Sequence, residues 1–162
     1  MSNKFIILIA SLSLTACEHK ANNQTNSTLQ QGVTTMTKQV INSDKALKVF
    51  GPYSQAIKVG GTAYLSGQLG INPQTLEMES GFEAQAEMAL KNLAALTEAS
   101  GGNPSDIVKL NFYLTDLANM PLMNTLIEQY FKPPYPARTT IGVKELPRGG
   151  IVEVDAIMAI ND

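Results

Sequence analysis

Two stretches of this chain carry apolar residues at helical spacing, and each stands between stretches that alternate with period two. This order restricts the fold more than any other feature. Phe82, Ala86, Ala89, Leu90, Leu93 and Leu96 recur every three or four residues, which places them on one face of a helix. Ser80-Gly81-Phe82-Glu83 reads as a capping box at its start, and Gly101-Gly102 as its end. The second helix takes Asn119 as its cap and Pro121 in its first turn, carries Leu122, Leu126, Ile127 and Tyr130 as its stripe, and stops at Pro133-Pro134.

Strand patterns fill the gaps. Ala56 to Val59 and Ala63 to Ser66 flank Gly60-Gly61, a pair suited to a tight hairpin, and Asn72-Pro73-Gln74-Thr75 makes the next turn. Between the helices Ile107 to Leu114 alternates, with Val108, Leu110, Phe112 and Leu114 on one side and Lys109, Asn111 and Tyr113 on the other. Strands at Thr139 to Val143 and Ile151 to Ile160, joined through Pro147-Arg148-Gly149-Gly150, complete the order ββαβαββ. Each helix then carries a right-handed crossover between parallel neighbours. The predicted fold is α+β, one mixed sheet with both helices on one face. Ile151, Val152, Val154, Ile157, Met158 and Ile160 make the last strand apolar on both sides. The uncovered face is therefore expected to meet another copy of the chain, in a homo-oligomer.

The N-terminus is of a different kind. Lys4, the apolar run Phe5 to Leu14 and then Leu14-Thr15-Ala16-Cys17 follow the charged, hydrophobic and small-residue order of an export signal. The run falls short of the roughly 20 apolar residues that span a bilayer. Leu-Thr-Ala-Cys resembles a lipobox, in which Cys17, the one cysteine present, becomes lipid-bearing after cleavage. The segment to Lys38 is rich in Asn, Gln, Thr and Ser and too poor in apolar residues to order itself. The expected organisation is a signal peptide at 1–16, lipidated Cys17 with a tether over 17–38, and one domain over 39–162. Glu18 after the cysteine leans toward the outer membrane. Met36 marks an alternative start that would leave an unlipidated, cytoplasmic form.

The domain's chemistry has few candidates. Its one histidine, His19, falls in the tether, which excludes a Ser-His-Asp triad, a Cys-His pair and a His-ligated metal site from the domain. There is no Gly-rich phosphate loop. A formal charge of −2 with singly scattered Lys and Arg argues against nucleic acid. Arg138 follows the stiff run Pro133-Pro134-Tyr135-Pro136-Ala137 and serves either in a surface ion pair or as a bidentate grip on a carboxylate. Glu153, between Val152 and Val154, is either a structural partner of an arginine or a general base of raised pKa.

Six ordered blocks, Gly51-Pro52-Tyr53-Ser54-Gln55-Ala56, Ser66-Gly67-Gln68, Asn72-Pro73, Asp106-Ile107-Val108-Lys109, Pro136-Ala137-Arg138 and Val152-Glu153-Val154, resemble the Rid family, the YjgF-type reactive imine deaminases. The resemblance covers nearly all of residues 39–160. It implies a chorismate-mutase-like α+β fold assembled as a homotrimer, with sites at the subunit interfaces and no cofactor or metal. It implies hydrolysis of 2-imino and enamino acids such as 2-aminoacrylate to a 2-keto acid and ammonia. Arg138 then grips the substrate carboxylate and Glu153 positions or activates water, while Tyr53, Ser66, Gly67, Asn124 and Thr140 line the pocket. The chain departs from the family pattern at Thr139-Thr140, where many members have Ser-Cys, and at Ile127, often aromatic. A non-catalytic, carboxylate-binding or client-holding trimer in the cell envelope is the alternative that the export signal raises. A ribonuclease, an activity also attached to this family, fits poorly with a domain that is acidic and lacks histidine.

Overall fold

The computed structural model describes residues 37–160. The expected signal peptide, Cys17 and all but the last two residues of the expected tether lie outside the described residues. The elements are β1 (Lys38–Ile41), β2 (Ala56–Val59), β3 (Thr62–Leu69), α1 (Phe82–Ala99), β4 (Ile107–Leu114), α2 (Met120–Tyr130), β5 (Ala137–Gly142) and β6 (Val152–Ala159). β1 is the strand that the sequence reading lacks. Only Ile41 of its four residues is buried, so it carries no alternation to detect. Lys38, assigned above to the tether, is its first residue.

The sheet runs β1-β2-β3-β6-β4-β5. Every neighbouring pair is antiparallel except β4 with β5. α2 therefore links parallel neighbours, as expected. α1 links β3 to β4, which run the same way, but β6 lies between them and pairs with both. This corrects the expected adjacency. β6 is also not apolar on both sides: Val152, Val154, Ala156 and Met158 are buried, and Glu153, Asp155 and Ile157 are half-buried. A half-polar strand so placed puts carboxylates in the middle of the uncovered face.

Both helices cover the other face. Ala86, Ala89, Leu90, Leu93 and Leu96 of α1 and Met123, Leu126 and Ile127 of α2 share one cluster with Leu65, Leu110, Phe112, Leu114, Val154 and Ala156 of the sheet. Full burial of each Leu, Ile or Phe contributes about 1.5–3 kcal/mol, so this cluster holds the layers together. Leu47, Leu69 and Ile71 form a smaller one, packed by Met78 and Leu146. Leu69 stands opposite Glu153, so these residues cover one end of the otherwise open face.

Local details depart from expectation for identifiable reasons. β4 has a bulge at Val108, because Ile107 pairs with Met158 and Lys109 already with Ile157. The extra residue shifts the alternation by one. Ile107 is buried, whereas Val108 is 48% exposed. No capping box forms at α1: Gly81 is the cap residue, with φ 83° and no side-chain cap bond. Gln85 instead ties the helix start to both sides, donating to the Glu79 carbonyl at 3.0 Å and accepting from the Ile151 amide at 3.0 Å. At the other end Gly101 and Gly102 donate to Glu98 and Thr97 carbonyls, the expected C-terminal closure. Asn119 makes no side-chain cap on α2, since Asp116 caps the preceding 3-10 turn Leu117–Asn119 by accepting from the Ala118 amide at 2.9 Å. The β2–β3 hairpin forms on two residues, with Val59 opposite Thr62 and Gly60 at φ 56°, an angle the turn requires and glycine adopts at little cost.

Candidate active site

Arg138 lies on β5 opposite Leu110 of β4, a buried core residue, so its side chain emerges on the helix-covered face at the sheet's edge. There Nη1 donates to Asn124 Oδ1 of α2 at 2.7 Å. A cleft of about 300 Å³ opens beside the pair, lined also by Leu110, Ile127, Glu128, Tyr135 and Pro136. The guanidinium makes no ion pair; among the described residues the only one is Lys91–Glu87. Arg138 thus has no ion-pair partner among the described residues of this protomer. One of five N–H donors is engaged by Asn124, and the remaining fork has the shape that takes a carboxylate in two parallel bonds.

Glu153 belongs to a different cleft. It stands opposite Tyr113 of β4, on the face away from the helices. With Phe50, Tyr53, Ser66, Gly67, Leu69 and Pro147 it lines a second space of about 300 Å³. A Cβ on Gly67 would come within 2.8 Å of the Glu153 carboxyl carbon and collide with Oε1. The carboxylate therefore occupies the space that a side chain at 67 would take. Gly67 sits in the irregularity of β3 between Leu65 and Gln68, a place where bulges commonly re-aim the chain. Burial, and then the charge of Asp155, raise Glu153 above the ordinary carboxylate range. Among the described residues no arginine or lysine of this protomer pairs with it.

The remaining sequence-predicted residues divide between the clefts. The Ser66 hydroxyl donates to the Ser54 carbonyl at 2.6 Å, fixing the chain next to Tyr53. Tyr53 is 42% exposed and meets Phe50 edge to face at 6.0 Å. Arg148 lies 5.2 Å over the Phe50 ring, a cation–π contact that braces the rim. Gln55, buried, accepts from the Ser43 amide at 2.7 Å and donates to the Leu47 carbonyl at 2.8 Å, so the loop preceding Phe50 is stapled to β2. Thr140 shares a face with Arg138 two residues along β5 but lines neither cleft. Its hydroxyl oxygen is buried and has no partner among the described residues.

Arg138 and Glu153 thus do not meet in one protomer. Through Leu110 and Ala156 the register sets them two strands and three residues apart, roughly 14 Å at about 4.8 Å per strand and 3.3 Å per residue, on opposite faces. Phe50, Tyr135 and Pro147, which complete the clefts, were not singled out from sequence as site residues, since they lie in loops without periodicity. Among the described residues no group of His, Cys, Asp and Glu is arranged to hold a metal ion, and no helix is long and apolar enough to cross a membrane.

Known proteins share both sequence and fold with this chain. A family model described as Endoribonuclease L-PSP matches residues 43–160. A 2-iminobutanoate/2-iminopropanoate deaminase of Dermatophagoides farinae is 43% identical over 125 residues, 76% of this chain and 98% of that protein. The human protein of the same name is 36% identical, covering 77% and 92%. The crystal structure of RidA from the Antarctic bacterium Psychrobacter sp. PAMC 21119 superposes with a TM-score of 0.74 at 48% identity, covering 75% of this chain and 99% of that one. With the ordered blocks, the two-helix mixed sheet and the matched span in agreement, this chain belongs to the Rid (YjgF) family.

Proposed function

We propose that the protein hydrolyses reactive 2-imino and enamino acids to 2-keto acids and ammonia, at sites that two protomers complete together. The carrying observation is the separation of Arg138, anchored on Asn124, from Glu153, desolvated and without a cation. Each cleft holds half of what the reaction needs. The names of the Dermatophagoides and human relatives support the substrate class.

Arg138 takes the substrate carboxylate and so fixes the adjacent C=N carbon. That carbon is already electrophilic, so orientation and proton transfer are the main demands. Glu153 accepts a proton from water as its oxygen adds to the imine carbon. Glu153 returns that proton to nitrogen to complete the carbinolamine, then takes the new hydroxyl proton as the C=O bond forms and passes it to nitrogen as the C–N bond breaks, releasing ammonia and the keto acid. An enamino acid first takes a proton on carbon to become the imine. The apolar walls, Leu110 and Ile127 on one side and Phe50 and Leu69 on the other, favour an apolar side chain. Ribonuclease chemistry lacks support here, since the chain is acidic overall and phosphate contacts need clustered cations.

A homotrimer is the assembly we infer. Val40, Tyr64 and Ile141 are 55%, 52% and 45% exposed, and Ile141 and Tyr64 lie on the sheet face that the helices leave open. Light scattering should return three times the chain mass. We also propose that residues 1–17 act as a lipoprotein signal and anchor, on the Leu14-Thr15-Ala16-Cys17 motif. Palmitate labelling abolished by Cys17→Ser would support it, and an intact mass starting at Met36 would overturn it.

The activity is tested by generating 2-aminoacrylate in situ with a lyase and following keto-acid release. Wild type should exceed Arg138→Ala by at least about 100-fold, the scale of losing a bidentate anchor and its orientation. Equal rates, or carboxylate-dependent thermal stabilisation without turnover, would overturn the reading.

A further inference from the structure

On the open face of the sheet, Asp155 of β6 stands directly opposite Asn111 of β4, and Glu153 directly opposite Tyr113. Tyr113 does not interact straight across. It leans along the strand, and its hydroxyl donates to Asp155 Oδ2 at 2.7 Å, while Asn111 Nδ2 donates to Oδ1 at 2.7 Å. Both carboxylate oxygens are thus held by neutral donors from one neighbouring strand. Among the described residues no lysine or arginine of the protomer forms an ion pair with it. All four residues are half-buried. Residues two apart on one strand face are about 6.6 Å apart, so a fixed negative charge lies beside Glu153.

We propose that Asn111, Tyr113 and Asp155 form a positioning cluster that holds an uncompensated negative charge beside Glu153 and so makes Glu153 the stronger water-activating base. The inference rests on the reading of Glu153 given under Proposed function. The alternative, that Asp155 merely ties β4 to β6, does not account for two neutral donors where a lysine would bind the strands as well and cancel the charge.

The surroundings agree. Within the protomer, titratable or charged groups facing Glu153 are Asp155 on its own strand, Tyr113 on β4 and Tyr53 from the loop before β2; the shared site proposed above adds Arg138 of the partner subunit, from across the bound substrate. Lys109, farther along β4, donates to Thr139 at 2.6 Å, and Arg148 is held over Phe50. Of these, Asp155 alone raises Glu153. The Tyr113 hydroxyl, bonded to Asp155 and partly buried, is pushed up to about 12, so it stays a donor throughout the working range.

The test follows the Glu153 carboxyl itself, by carbon NMR or difference infrared titration with Glu153→Gln to identify its signal, alongside the pH profile of kcat/KM. In Asp155→Asn, which keeps the shape and can still accept from Asn111 while donating to the Tyr113 hydroxyl oxygen, the Glu153 midpoint and the acidic limb of kcat/KM should both fall by about one pH unit, the effect of one charge at this distance in a partly hydrated site. At neutral pH kcat should drop several-fold with KM little changed, as a weaker base requires. An unmoved carboxyl midpoint overturns the cluster's role. A midpoint that falls while the kinetic limb stays overturns instead the reading of Glu153 as the base. Should Asp155→Asn not fold, the titration of Asp155→Ser decides: removing the charge should again lower the Glu153 midpoint, and constancy overturns the proposal.

Discussion

Gly67 and Glu153 set the tightest local condition on the site. Because the Glu153 carboxyl group fills the space that a Cβ at position 67 would need, Gly67→Ala should displace the carboxylate and cost activity. The stability loss should be about 1–3 kcal/mol, the usual penalty for overpacking. Keto-acid release and urea unfolding measure the two. Glu153 itself is placed for chemistry at the expense of stability. Burial and Asp155 raise its proton affinity in the folded state, so the protonated form favours folding. That benefit is present below the ordinary value of 4.5 and is lost as pH rises through the raised one. Glu153→Gln, which keeps the neutral form's shape, should therefore melt higher than wild type at pH 7–8, with the gap closing toward pH 4.5. A gap independent of pH would contradict this. The types and spacing of Arg138, Glu153, Tyr53, Ser66, Gly67 and Asn124 were legible in sequence. The supporting contacts of Gln55 and Gln85 were not, since a buried Gln follows no period and only the fold reveals which carbonyls it reaches.

At the scale of elements, alternation and helical spacing identify both helices and five of the six strands, and they miss where phase breaks. The bulge at Val108 is the clearest case. Read with strict period two, Val108 faces the core; in the structure Ile107 does. Ile107→Ala should consequently cost about 2–4 kcal/mol, within the range for deleting buried methyl groups. Val108→Thr should stay within about 0.5 kcal/mol, as at an ordinary surface position. Thermal melts of the two variants check the phase directly, and the reverse order would contradict it. The position of β6 between β3 and β4 was equally hidden, because sequence order says which strands a helix connects and leaves open which later strand enters between them. That placement sets Glu153 against Gly67 on one side and Tyr113 on the other, so the site's base depends on a strand order that no local pattern encodes.

At the scale of the whole molecule, the sheet divides the proposed machinery, with Arg138 on the helix-covered face at the β5 edge and Glu153 on the open face. A single protomer has no means of bringing them together. In the assembly we propose, a second copy seated on the apolar residues of the open face supplies the missing half to each site. The most direct measurement uses two inactive variants, Arg138→Ala and Glu153→Gln, unfolded together in equal amounts and refolded as a mixture. Each variant carries the half-site that the other lacks, so random assembly through head-to-tail interfaces should restore about a quarter of the wild-type sites, and with them about a quarter of the keto-acid release. Separately refolded variants combined without exchange should stay inactive. A co-refolded mixture as inactive as either variant alone would contradict a site shared between protomers.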